Sequence, residues 1–392
     1  MNKSRKNVVL VTGPPNNGRD DYLIQTLPKI KKKKTCGYYH IFKYMQRVSP
    51  DHGIPNLTRE NVFSISKNTL DQIRDAAFTK VIAEIQESNN DIEIVSTPAV
   101  FKVQHVRNYY SGTVDGIKLE HLQNLKPKLI VIFVDDLLRV HEKMKKDPLR
   151  SKMNLKLRDL AEWTMAAIQI VNEYIETSGL VETIIFAKEH KVDTFVDLIL
   201  GEKPRIYLSY HITGETEFHD IERFIKKVSS NFVCIDPYTI KDWEIVMNYD
   251  KAIEQEIEGS ISIKVDYRSG PKTFENIPME EIEQAIDLIR SQIVERDLLI
   301  ISNAHATVVY HKSNKPSYGV MVEVFHSSML SKPVYVLYPF KTRPSPFFEH
   351  FVTIPGNIIR GTEAIEALED RLTNKMKDEY KSWPTWNIQS AS

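Results

Sequence analysis

The chain has 392 residues with 52 Lys+Arg against 52 Asp+Glu, a formal net charge of +0, and 42% hydrophobic residues. That balance excludes a general pull toward nucleic acid or an anionic membrane surface. Its longest apolar runs, such as LIVIFV at 129–134, fall far short of the ~20 residues a membrane span needs.

The start, MNKSRKNVVLVTG, has no secretory pattern. Cys36 and Cys234 are too few and too far apart for a disulfide framework or a zinc cluster. A reduced, cytoplasmic protein of two domains is therefore expected. In chain order, a strand is predicted at 8–12, then a basic run at Lys31–Lys34 that reads as a solvated turn. A helix follows near 68–88, strands at 91–95 and 129–134, a helix near 155–177, a strand at 182–186 and a helix at 191–200. The stretch GEKPR at 201–205 marks a domain boundary. Beyond it come a strand at 205–210, a helix at 217–229, a strand at 232–235 and a long helix from Met279 to Asn303. Last are a strand at 306–310, a helix at 319–330, a strand at 333–338 and a helix at 362–377. The alternation predicts two Rossmann-like, three-layer α/β/α domains with mostly parallel sheets, over 1–200 and 205–392.

Residues 13–20, GPPNNGRD, keep the glycine spacing of the phosphate loop G-x-x-x-x-G-K-[ST] between a strand and a helix. Gly13, Gly18 and Arg19 are the candidate nucleotide-binding residues. Arg19 stands where a lysine reaches phosphate, and Asp20 where a hydroxyl holds Mg²⁺. With VIFVDDLLRVHEKMKKDPLR at 131–150, the first 200 residues resemble the nucleoside monophosphate kinase branch of the phosphate-loop proteins. The resemblance implies a lid arginine, for which Arg150 and Arg158 are candidates. It also implies an acidic residue near STPAVF at 96–101, where none stands. The expectation is a degenerate domain that binds ATP or GTP, or serves as scaffold and dimer surface, and not an active kinase.

Three later segments belong together. They are RIYLSYHITG at 205–214, IVERDLLIISNAHATVVY at 293–310 and SYGVMVEVFHSSMLSKPVYVLYP at 317–339. They resemble the nucleoside 2-deoxyribosyltransferases and the related 2′-deoxynucleoside 5′-phosphate N-hydrolases. Ser317, Gly319 and Glu323 fit the family motif S-x-G-x-x-x-E, and Lys332-Pro333-Val334 opens the following strand. Cleaving an N-glycosidic bond develops positive charge at the anomeric carbon, which a facing carboxylate stabilises or bonds. Glu323 is the candidate nucleophile, Asp297 the donor to the leaving base, and Tyr207 the phenol that orients the nucleophile. Tyr210-His211 replaces the family's Gly-Pro, and the tyrosine is expected to narrow the sugar's 5′ end. His211, Thr213, Gly214, Ser317, Gly319 and Ser345 are the substrate-binding candidates, with Arg343 beside the last. His305, His311 and His326 read as ordinary loop and helix residues.

The resemblance implies cleavage or transfer at a (deoxy)nucleoside or its 5′-monophosphate, needing no cofactor, in a homodimer or larger homo-oligomer. Three alternatives stand beside it: a nucleotide-sensing module, an NAD-cleaving glycohydrolase, and an interaction protein built from two decayed nucleotide-binding folds.

Overall fold

The computed structural model describes residues 6–104, 111–148, 150–178, 181–212, 219–311, 317–352, 354 and 356–383. The first strands are β1 (Val8–Thr12), β2 (Cys36–His40), β3 (Ile92–Ser96), β4 (Val100–Gln104), β5 (Ser111–Asp115), β6 (Leu129–Val134) and β7 (Glu182–Ala187). The others are β8 (Arg205–Tyr210), β9 (Val233–Ile235), β10 (Ser260–Tyr267), β11 (Gly270–Pro278), β12 (Ala306–Tyr310), β13 (Val334–Tyr338) and β14 (Ile358–Arg360). Two five-stranded sheets form, in the orders β2-β3-β1-β6-β7 and β14-β13-β12-β8-β9. Every pairing within them is parallel. Helices flank both sheets, so the α/β expectation holds. The central strands are apolar and buried along their whole length, as β6 (LIVIFV) shows, because a parallel sheet is covered on both faces. No helix among the described residues is long and apolar enough to cross a membrane.

The chain divides into one unit of residues 1–189 with 240–293 and another of 190–239 with 294–392. This differs from the single boundary expected at 201–205. The helix at 191–200 belongs with the second sheet, and a middle segment belongs with the first unit. That segment comprises helix Trp243–Glu254, the antiparallel β10–β11 hairpin and the first part of helix Met279–Asn303. Its buried Ile245, Val246, Ile263, Val265, Ile282 and Ile289 share one core with Leu137, Leu138, Leu157, Leu160 and Trp163. Buried polar contacts fix the same packing. The Leu137 N–H donates to Asp242 at 2.8 Å, and the Tyr267 hydroxyl donates to Asp136 at 2.8 Å.

In the second unit the two faces of β8 part company. Ile206, Leu208 and Tyr210 enter a core with Phe224, Val308, Tyr310, Tyr335 and Leu337. Tyr207 and Ser209, one residue out of phase, point to the opposite face, where helix Tyr318–Met329 lies.

Candidate active site

Glu323 sits on helix Tyr318–Met329, and two β8 side chains reach its carboxylate. The Tyr207 hydroxyl donates to Oε1 at 2.7 Å, and the Ser209 hydroxyl donates to Oε2. The helix is held in place on both sides of Glu323. Ser317 caps its start by accepting from the Val320 N–H. Four residues after Glu323, the Ser327 hydroxyl donates to the Glu323 carbonyl at 2.8 Å and bonds Thr307 at 2.7 Å. Thr307 lies on β12 directly opposite Tyr207 in register, so one buried hydroxyl pair ties this helix to the sheet. Residues i and i+4 share a helix face, which turns Glu323 toward β8 as well.

Burial pushes the Glu323 carboxyl up to about 8, and the negative charge of Asp297 pushes the same way; the two hydroxyl bonds oppose them. Taken as a whole residue, Glu323 is half-buried. Tyr207 is fully buried, and burial with the Glu323 and Asp297 charges holds its phenol well above the ordinary range. It is therefore a permanent donor. Asp297, on helix Met279–Asn303, is half-buried with Arg296 Nε 3.7 Å from its carboxylate. Glu323, Asp297 and Tyr207 are thus brought together.

The remaining candidates divide. Ser317 is near but spends its hydroxyl on the helix cap. Gly319 lies in the first helical turn with an ordinary φ, not in a glycine turn, and the helix begins at Tyr318. A Cβ there would meet only Ser317 Oγ at 4.0 Å, so the position leaves open space beside the helix start. His211 follows β8, half-buried, with Nδ1 lacking a hydrogen-bond partner among the described residues. Thr213 and Gly214 lie outside the described residues. Ser345 is exposed and caps helix Pro346–Phe351 by accepting from the Phe348 N–H; Arg343 is exposed too. Tyr210 does not narrow the site, because its ring is buried in the other core layer and its hydroxyl donates to Asp236 at 2.8 Å. His305 lies in the short loop between helix Met279–Asn303 and β12, as expected, but it is fully buried there, and Nδ1 accepts from the Arg205 N–H at 2.7 Å. His326 bonds Ser302 at 2.9 Å, and His311 packs edge-on against Tyr338, Phe340 and Phe348.

In the first unit, the loop after β1 starts helix Arg19–Lys31. Gly13 (φ 138°) is obligatory, since a Cβ would stand 2.2 Å from the Phe133 carbonyl oxygen. Pro14 and Pro15 contribute no N–H to a phosphate cradle. Arg19 turns into the protein, donating to Ser96 at 2.9 Å and to both oxygens of Asp20 at 3.2 and 3.1 Å. Ser96 and His40 also bond Asp20, whose carboxyl is held far below the usual carboxylate range by Arg19 and His40 against the effect of burial. Of the two lid candidates, Arg150 lines a cavity of about 520 Å³ beside the loop, whereas Arg158 is an exposed helix residue paired with Glu162. The cavity's walls come from the first unit alone. Among the described residues no group of His, Cys, Asp and Glu is arranged to hold a metal ion.

No family model matches the chain, and no curated protein matches it.

Proposed function

We propose that the second unit cleaves the N-glycosidic bond of a (deoxy)nucleoside or its 5′-monophosphate, with Glu323 as nucleophile. The observation that carries this is one carboxylate gripped through both oxygens by Tyr207 and Ser209 and placed beside a second acid, Asp297. Two acids in one site hold a proton between them. As the C1′–N bond breaks, its electron pair passes to the base, and that proton passes through Asp297 to the same leaving group. Glu323, now ionised, bonds C1′. Water or a second base then attacks C1′, Glu323 departs, and Asp297 accepts the incoming proton. Tyr207 and Ser209 aim the carboxylate and supply no proton. Position favours the same reading: Ser209 lies toward the carboxyl end of a parallel strand, where open α/β sheets take their ligands, with Tyr207 one strand period before it.

The test is a panel of nucleosides and 5′-nucleotides assayed for free-base release and for base exchange. Wild type is expected to release base from at least one member, and Glu323→Ala to lose more than about 1,000-fold. Release of nicotinamide from NAD in place of base from any deoxynucleoside would move the substrate class and keep the nucleophile. Equal activity in Glu323→Ala would end the proposal.

A further inference from the structure

The phosphate loop of the first unit lacks the lysine its pattern calls for, but two lysines from elsewhere occupy the space beside it. Gly18 (φ 80°) precedes helix Arg19–Lys31, where unpaired N–H groups concentrate positive potential. A Cβ built on Gly18 would lie 3.1 Å from Lys188 Nζ and 3.3 Å from Lys143 Nζ. Lys143 comes from helix Leu137–Lys146 after β6, and Lys188 follows β7, so both reach the loop from neighbouring strand ends. One buried carboxylate, Asp135, holds both, at 3.0 and 3.2 Å, and accepts from Arg139 at 2.8 Å as well. Two ammonium groups thus share one carboxylate beside the helix start, whose first turn also carries Asp20 and Asp21. A second feature points the same way. Arg19 is 4% exposed, its Nη1 has no hydrogen-bond partner among the described residues, and it lines the cavity with Gly18, Lys143, Arg59 and Arg150. A buried guanidinium N–H left unpaired is costly, and an anion in the cavity would satisfy it.

The resemblance to phosphate-loop kinases implies Mg²⁺ with the nucleotide; among the described residues no group of His, Cys, Asp and Glu is arranged to hold a metal ion, and three acids around the loop are already engaged. Asp20 is consumed by Arg19, Ser96 and His40. Asp135 is consumed by three cations, and Asp136 by Arg139 and Tyr267. A hard cation needs such oxygens free.

We propose that this loop binds the phosphoryl group of a phosphorylated metabolite without a divalent cation, Lys143 and Lys188 neutralising the charge a metal would otherwise meet. The site lies in the first unit only, so it stands or falls separately from Glu323. The probes are ADP, AMP, inorganic diphosphate and inorganic phosphate, titrated calorimetrically into the full chain in EDTA and again with Mg²⁺. At least one is expected to bind in EDTA, with Mg²⁺ leaving the affinity unchanged or lower. Binding by ADP or AMP alone would identify a nucleotide. Equal binding by diphosphate or phosphate would identify the phosphoryl group itself. Lys143→Ala and Lys188→Ala should each weaken binding by about tenfold. Should either variant melt like an unfolded chain, Lys143→Gln and Lys188→Gln serve instead, and the Mg²⁺ comparison needs no variant. Binding that appears only with Mg²⁺, no binding by any probe, or folded lysine variants that bind like wild type would each overturn the proposal.

Discussion

A carboxyl that keeps its proton up to about pH 8 must lose it before it can attack carbon, and this makes Glu323 testable through pH alone. Base release is expected to fall as pH rises through a limb near 8, where the pair loses to solvent the proton that the leaving base needs. Two neighbours should move that limb in opposite directions. Ser209→Ala removes a bond that favours the ionised form, so the limb shifts up by roughly one pH unit. Asp297→Asn removes a like charge, so it shifts down, while the rate falls for want of a proton donor. A pH–rate profile of the three proteins reads all of this; shifts of the same sign would contradict the geometry. Stability follows with its own sign. The unfolded carboxyl ionises near 4.5 and the folded one near 8, so the unfolded chain releases a proton across that window and stability falls as pH rises through it. Glu323→Gln should raise Tm by a few degrees at pH 9 and by almost nothing at pH 4. Thermal melts at the two pH values check it. Glu323 is legible in the sequence because a helix motif and its apolar neighbours single it out, whereas Asp297 sits in the charged stretch VERDLL and stands out only through the resemblance of that segment. Ser209 carries a signal too, the two-residue strand period from Tyr207, which the family motif obscures.

At the scale of elements, helix Tyr318–Met329 has to be placed to within fractions of an ångström, and the Thr307–Ser327 bond is its tether. Thr307→Val leaves the Ser327 hydroxyl without that partner and is expected to cost about 1–2 kcal/mol. It should also lower kcat more than it changes KM, since Glu323 loses its aim. Denaturant melts with steady-state kinetics separate the two effects; a loss confined to stability would remove Thr307 from the account. The long buried strands are readable from sequence because parallel strands covered on both faces appear as unbroken apolar runs. β2 and β14 are not, since CGYYH carries a glycine and polar ends and IIR is three residues long. The tether itself leaves no local trace, because Thr307 and Ser327 are twenty residues apart and only the fold makes them neighbours.

For the whole molecule, the informative departure is that the first unit is discontinuous. The alternation in SISIKVDY marks a half-buried strand, yet nothing local says which surface it covers. Its partner faces, around Leu138, Leu157 and Trp163, lie about a hundred residues earlier. A fragment ending at residue 204 would lack the segment 240–293 and leave that apolar surface bare. It is expected to bind a hydrophobic dye strongly and to melt well below the full chain. Cooperative unfolding at an unchanged Tm would mean that the middle segment contributes nothing to the first unit's core.

The most direct measurement is peptide mass mapping of protein quenched in acid during turnover of a nucleoside or nucleotide from which it releases base. The account predicts a sugar adduct on the peptide that carries Glu323, absent in Glu323→Ala. Release of base with no adduct at Glu323, or an adduct formed on Asp297 instead, would contradict it.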